Sequence, residues 1–353
     1  MGVCGDARDV ALLYDQLPAG SAHPFHAYLL QSFYMSGRER LDARFRASMT
    51  RRQLLAAACA TTLHARGRMD KSRISAITDE IGLSTDESIA FAHRYGLRFV
   101  EIRNRPGTPK EYFTLTEAEI KAEALRFAGE GLKVSFVNTS LLKFAWPGME
   151  PVRAKPEDPD AREKRLAAEK LRWDRRMDDL HNAIRCAQIM GADKVRVFTG
   201  QRTADPAATY PRVAETLGAM AQAAEKEKVL LLIENEASQN VATSAELAAI
   251  LKLIPSRWLG LNWDPHNAYG RETSYPDGYA LLPKKRIMNV QVKAKGVMPS
   301  SPEKEDWKAI LLALDRDGYT GKIGLETHIF DGTLIAAAHA SIEEILRIVN
   351  EVS

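Results

Sequence analysis

Val229-Leu230-Leu231-Leu232-Ile233-Glu234-Asn235-Glu236 runs five aliphatic residues straight into Glu-Asn-Glu. An apolar run too short for a helix, β-branched at both ends, predicts a strand covered on both faces. Glu234 then sits where that strand leaves the core. A lone carboxylate costs several kcal/mol to bury, so this one is expected to be exposed, paired or bound to a cation. In parallel α/β proteins the C-terminal ends of strands are where chemistry is done.

The same pattern recurs on either side. Upstream strand candidates are 74–80, ending in Asp79-Glu80, then 99–103, 133–138 and 193–198. Downstream ones are 259–264, 287–293 and 322–326. Helices fill the gaps, announced by Ser-x-x-Glu or Thr-x-x-Glu capping boxes at Ser84/Glu87, Thr116/Glu119 and Thr243/Glu246. Gly96, Gly131 and Gly191 stop helices where chain reversal is needed. A single charged helix is expected from about 161 to 190, another from Pro302 to Leu314, and a closing amphipathic helix over 333–349. The Pro- and charge-rich stretch 144–172 is too short for a core of its own and reads as a lid or an oligomer contact. Eight strands alternating with helices over 280 or so residues predict one α/β domain, a (β/α)8 TIM barrel spanning 70–353. A doubly wound open sheet would be expected to show a Gly-rich phosphate turn, and the sequence has none.

Composition narrows the function. The 353 residues are 45% hydrophobic and 27% charged, with 49 basic and 46 acidic residues. A net charge of +3 argues against a nucleic-acid partner. No apolar run is long enough to predict stable membrane insertion. Three scattered cysteines form neither a disulfide framework nor a CxxC metal site. Residues 1–69 read as an N-terminal extension. Within it, Met49-Thr50-Arg51-Arg52 followed by Leu54-Leu55 and an alanine-rich run resembles a twin-arginine export signal. Translation from Met49 would imply export to the periplasm, and otherwise a cytoplasmic location.

The ends of strands five to eight carry Glu234, Asp264, Gln291 with Lys293, and Glu326 with His328. A barrel brings such ends to one face, where three carboxylates repel unless protonated or neutralised by a divalent cation. Oxygen donors with one amide favour Mn2+ or Mg2+ over Zn2+. The order of Val100-Glu101-Ile102-Arg103, Ile233-Glu234-Asn235, Trp263-Asp264-Pro265-His266-Asn267 and Gly324-Leu325-Glu326 resembles the xylose isomerase-like barrels, a group of sugar and sugar-phosphate isomerases and epimerases. That resemblance implies metal binding by Glu234, Asp264 and Glu326, with the two glutamates also moving protons. The family's seventh strand usually ends His-x-Lys-Asp, with the His as fourth ligand. Here the matching residues are Gln291-Val292-Lys293-Ala294, so a neutral amide stands in the fourth ligand position.

The expected chemistry is metal-assisted proton abstraction next to the carbonyl of a ketose-type substrate, with Glu234 and Glu326 as catalytic groups. Substrate contacts are expected from His266, Asn267, Lys293, Glu101, Arg196 and His328. The competing expectations are a lyase or dehydratase on keto-sugars, inososes or oxidised glycosides, and a non-catalytic carbohydrate-binding barrel. The partner is a small sugar, and a homo-oligomer is compatible with the insertion.

Overall fold

The structure is a computed structural model that describes residues 69–152 and 156–353. The twin-arginine stretch and the rest of the expected extension up to residue 68 lie outside the described residues. Eight parallel strands form the sheet: β1 (Ile74–Ala76), β2 (Phe99–Ile102), β3 (Lys133–Val137), β4 (Lys194–Val197), β5 (Leu230–Glu234), β6 (Leu259–Trp263), β7 (Ile287–Lys293) and β8 (Lys322–Glu326). Each pairs with its sequence neighbour from β2 to β8, and β8 pairs with β1. A parallel bridge between Ile77 and Glu101 joins β1 to β2 and rounds off the barrel.

Eight helices of ten residues or more wrap the sheet: α1 (Thr85–Arg94), α2 (Glu117–Gly129), α3 (Pro159–Asp174), α4 (Arg176–Met190), α5 (Tyr210–Lys226), α6 (Ser244–Leu253), α7 (Trp307–Arg316) and α8 (Leu334–Val352). All three expected caps form. Ser84 accepts from the Glu87 amide, and Thr116 and Thr243 make full capping boxes with Glu119 and Glu246. The core lies between sheet and helices: Val195, Val197, Leu231, Ile233 and Leu261 belong to one buried cluster with Leu217, Met220, Leu247 and Ile250. Each such side chain stabilises the fold by roughly 2 kcal/mol through burial. The alternate residues of β5, Leu232 and Glu234, face the barrel interior. A side chain at Gly260 of β6 would meet Leu232 at 3.0 Å, which is why that position carries none.

Three boundaries differ from the sequence expectation. β1 stops at Ala76, and Thr78–Glu80 form a 3-10 turn that carries Asp79 and Glu80 across the barrel mouth. The charged helix over 161–190 is two helices that meet at Arg175 (φ −85°, ψ −3°). The helix expected from Pro302 begins only at Trp307. There the Asp306 carboxylate caps the Ala309 amide, while the Glu305 amide is drawn to the Gly296 carbonyl. No helix among the described residues is long and apolar enough to cross a membrane.

Candidate active site

The strand ends deliver their acids to one place. Glu234 closes β5, Asp264 follows β6 and Glu326 closes β8, and each is at most 4% exposed. One oxygen from each lies within 4.8 Å of the other two. β5 and β6 are stapled at this end by Asn235, whose side chain donates to the Asp264 carbonyl (2.7 Å) and accepts from the Asp264 amide (2.9 Å). Asn267 adds a second clasp, donating to the Asn235 carbonyl (2.8 Å) and from its backbone to Asp264 Oδ1 (3.0 Å).

Three cations of the chain reach these acids. Arg196, from β4, lies 2.9 Å from Glu234 and 3.6 Å from Glu326. Arg103, just past β2, bridges Asp79 (2.8 Å), Glu80 (2.8 Å) and Glu326 (3.4 Å). Lys293, ending β7, donates to Asn267 and sits 3.6 Å from Asp264 Oδ2 and 3.9 Å from Glu326 Oε2. Five carboxyls therefore share three cations, and full ionisation would leave two negative charges in excess. Glu236 is matched separately by Lys143 at 3.0 Å.

The carboxyls of the group titrate unevenly, with burial as the leading cause. Burial raises the Asp264 carboxyl to about 8, against the pull of Lys293. Burial also raises Glu234, and it raises Glu80 to about 7, in each case against a neighbouring guanidinium. Glu326 goes the other way. Burial opposes its ionisation, but Lys293, Arg196 and Arg103 together hold it well below the usual carboxylate range. Environments that push neighbouring carboxyls apart in this way separate a proton holder from an ionised base. His328 is lowered to about 4 and His266 is also lowered, both chiefly by burial, so both imidazoles are neutral at pH 7.

Below this group lies a layer that sequence reasoning placed differently. Glu101, expected to touch substrate, is fully buried and accepts from Ser75 (2.7 Å), Asn138 (2.8 Å), Gln291 (2.8 Å) and Asn289 (3.3 Å). Four donors of the chain share its oxygens, and it is not among the residues lining the cleft. Burial raises the Glu101 carboxyl and these hydrogen bonds oppose the rise. Gln291, expected as fourth ligand, spends its amide nitrogen on Glu101 and Asn138, leaving its carbonyl oxygen buried without a partner. Asn289 passes the network on to Asn262 (3.0 Å), and Asn262 donates to Glu234 (2.5 Å). Gly324 is bare because a Cβ there would lie 2.1 Å from Glu101 Oε1. Arg196, expected to hold substrate, is 3% exposed and commits its guanidinium to Glu234, Glu326 and the Thr139 carbonyl. Arg103, Glu80 and the three asparagines of the floor were not singled out. An inward-facing polar residue at every second position of β7 was the available signal.

Above the acids opens a cleft of about 620 Å3. Four of the residues expected to contact substrate, His266, Asn267, Lys293 and His328, line it together with Glu236.

The family model for the xylose isomerase-like TIM barrel matches residues 89–351. The chain belongs to this family. Among solved structures it resembles L-ribulose 3-epimerase at 18% identity, covering 79% of this chain and 96% of that one, with a TM-score of 0.57. The 3-keto-D-glucoside 4-epimerase of E. coli is similar at 13% identity, over 79% and 99% of the two chains, with a TM-score of 0.57. A xylose isomerase-like barrel protein from Mycobacterium smegmatis in complex with magnesium is 17% identical over 81% and 99%, with a TM-score of 0.55. At these identities the likeness is one of fold. No curated protein matches the sequence.

Proposed function

We propose that this chain is a sugar isomerase or epimerase that removes and returns a proton on a carbon next to a substrate carbonyl. The observation that carries the reading is the convergence of Glu234, Asp264 and Glu326 at the ends of three strands, beneath an open cleft. Family membership and epimerases among the fold neighbours support the same class.

The donor set fits a divalent cation of the Mn2+ or Mg2+ kind. Asp264 Oδ2 and Glu326 Oε2 are buried without hydrogen-bond partners, and the charge left over when all five carboxyls ionise matches one such ion. Glu234, Asp264 and Glu326 would hold it, with the carbonyl oxygen of Gln291 as the neutral fourth donor. Such an ion supplies charge stabilisation for an enediolate oxygen. The chain's own groups do the rest. Glu326 takes the proton on one side of the substrate and Glu234 returns one on the other. Lys293, Asn267 and His266 hold substrate oxygens.

The test is incubation of the purified protein with ketoses and Mn2+ in D2O, followed by NMR. The reading predicts an epimeric or isomeric sugar carrying deuterium at the carbon next to the carbonyl. An unsaturated product formed with loss of water would replace it with a dehydratase. Unchanged, undeuterated sugar across the panel would remove the enzymatic reading.

A further inference from the structure

The cleft over the acids has two features that proton transfer does not require. Tyr269 and Phe330 stand at its rim with 52% and 80% of their surfaces exposed. Isolated exposed aromatics are ordinary, but these two border one cleft and each is held by a histidine of its wall. Tyr269 stacks on His266, with ring centres 5.4 Å apart and planes 27° from parallel. Phe330 meets the edge of His328 at 4.6 Å. His328 itself adopts φ +51°, a conformation that favours glycine, and its amide is tied to Glu80 Oε2 at 2.9 Å. That turn lies between Glu326 and Phe330.

Charge is the second feature. The cleft wall carries Glu236, Glu303 and Asp331 against Lys293 and Lys295. Both lysines already have acid neighbours: Lys295 lies 3.9 Å from Glu303, and Lys293 lies 3.6 Å from Asp264. A phosphate ester would have to compete with those carboxylates for either lysine. A neutral ring meets no such cost, and its apolar C–H face can cover exposed aromatic surface.

We infer that Tyr269 and Phe330 form an outer subsite for a second, uncharged ring, so that the substrate is a keto-sugar bearing a glycosyl or similar ring substituent and not a sugar phosphate. This rests on the reading of the cleft as a sugar site. The acids treat the reacting ketose and the aromatic rim treats the substituent.

Calorimetric titration of the full chain with three sugars that share one ketose end tests it: D-fructose, D-fructose 6-phosphate, and isomaltulose, in which a glucose ring takes the place of the phosphate. Isomaltulose should bind about tenfold or more tighter than fructose, and fructose 6-phosphate more weakly than either. Phe330→Ala and Tyr269→Ala should each bring the isomaltulose constant towards that of fructose, with melting temperatures checked against the parent. Three results overturn the inference: tightest binding of the phosphate, no binding of isomaltulose at millimolar concentration, or a ring preference that survives both substitutions. A change of oligomeric state in Phe330→Ala with the preference intact would assign that ring to a subunit contact. Deuterium exchange on fructose, measured alongside, reports on the proposed reaction separately. Lost exchange with an intact ring preference would count against the chemistry and leave the subsite standing.

Discussion

Replacing Lys293 by Met removes one of three cations from a buried group of five carboxylates and keeps the length of the side chain. The ammonium lies 3.6 Å from Asp264 Oδ2 and 3.9 Å from Glu326 Oε2. At an effective dielectric of about 20, each contact is worth about 4–5 kcal/mol of raw attraction when its carboxyl is ionised. Much of that offsets the cost of burying the lysine, so removal of one partner from such a site costs about 3–5 kcal/mol net. For a barrel of this size the loss corresponds to a fall in Tm of roughly 10 °C. The two oxygens nearest the ammonium are also those with no hydrogen-bond partner. Mn2+ should therefore raise the Tm of Lys293→Met more than that of the parent, and an ion at about 100 times its Kd would return about 2.7 kcal/mol. Differential scanning calorimetry with and without Mn2+ measures both quantities. A Tm within 2 °C of the parent, indifferent to Mn2+, would refute the charge accounting.

Other positions give independent checks. Gly324→Ala places a methyl 2.1 Å from a Glu101 oxygen that four hydrogen bonds hold in place. A loss above about 4 kcal/mol, seen as failure to accumulate folded protein or a greatly lowered Tm, is expected. Wild-type stability in that variant would show that Glu101 is not fixed. Glu305 is a pH probe away from the acids, its carboxyl raised to about 7 by burial. A carboxyl whose folded pKa lies above its unfolded value contributes stability at pH 4 that is lost as pH rises through about 7. Glu305→Gln should thus stabilise the protein by about 1–2 kcal/mol at pH 8, after allowance for partial exposure, and by nothing at pH 4. Equal shifts in urea midpoint at both pH values would contradict this.

The parts of the site legible in the sequence are those that end strands. Glu234, Asp264 and Glu326 each terminate an apolar run, so strand periodicity alone puts them at one barrel mouth. Partnership across the barrel is another matter. Glu101 sits next to a strand end, yet three strands, β1, β3 and β7, bring up its donors, Ser75, Asn138, Asn289 and Gln291, and nothing local in the sequence reveals that. The role of Arg196 depends likewise on a register that sets β4 beside β5, with Arg196 opposite Leu232 and its guanidinium reaching Glu234. The break at Arg175 hides inside a run whose helical propensity is unbroken, and the start of α7 at Trp307 was obscured by Pro302, a residue equally at home in a turn.

The central claim is that Glu326, held ionised by Lys293, Arg196 and Arg103, is the base that removes the proton. Solvent-deuterium exchange into a bound ketose by Glu326→Gln, beside the parent and with Mn2+ binding measured for both, tests it most directly. The account predicts a fall in exchange of at least about 100-fold that excess Mn2+ does not restore. Exchange at the parent rate in a folded Glu326→Gln protein would contradict it.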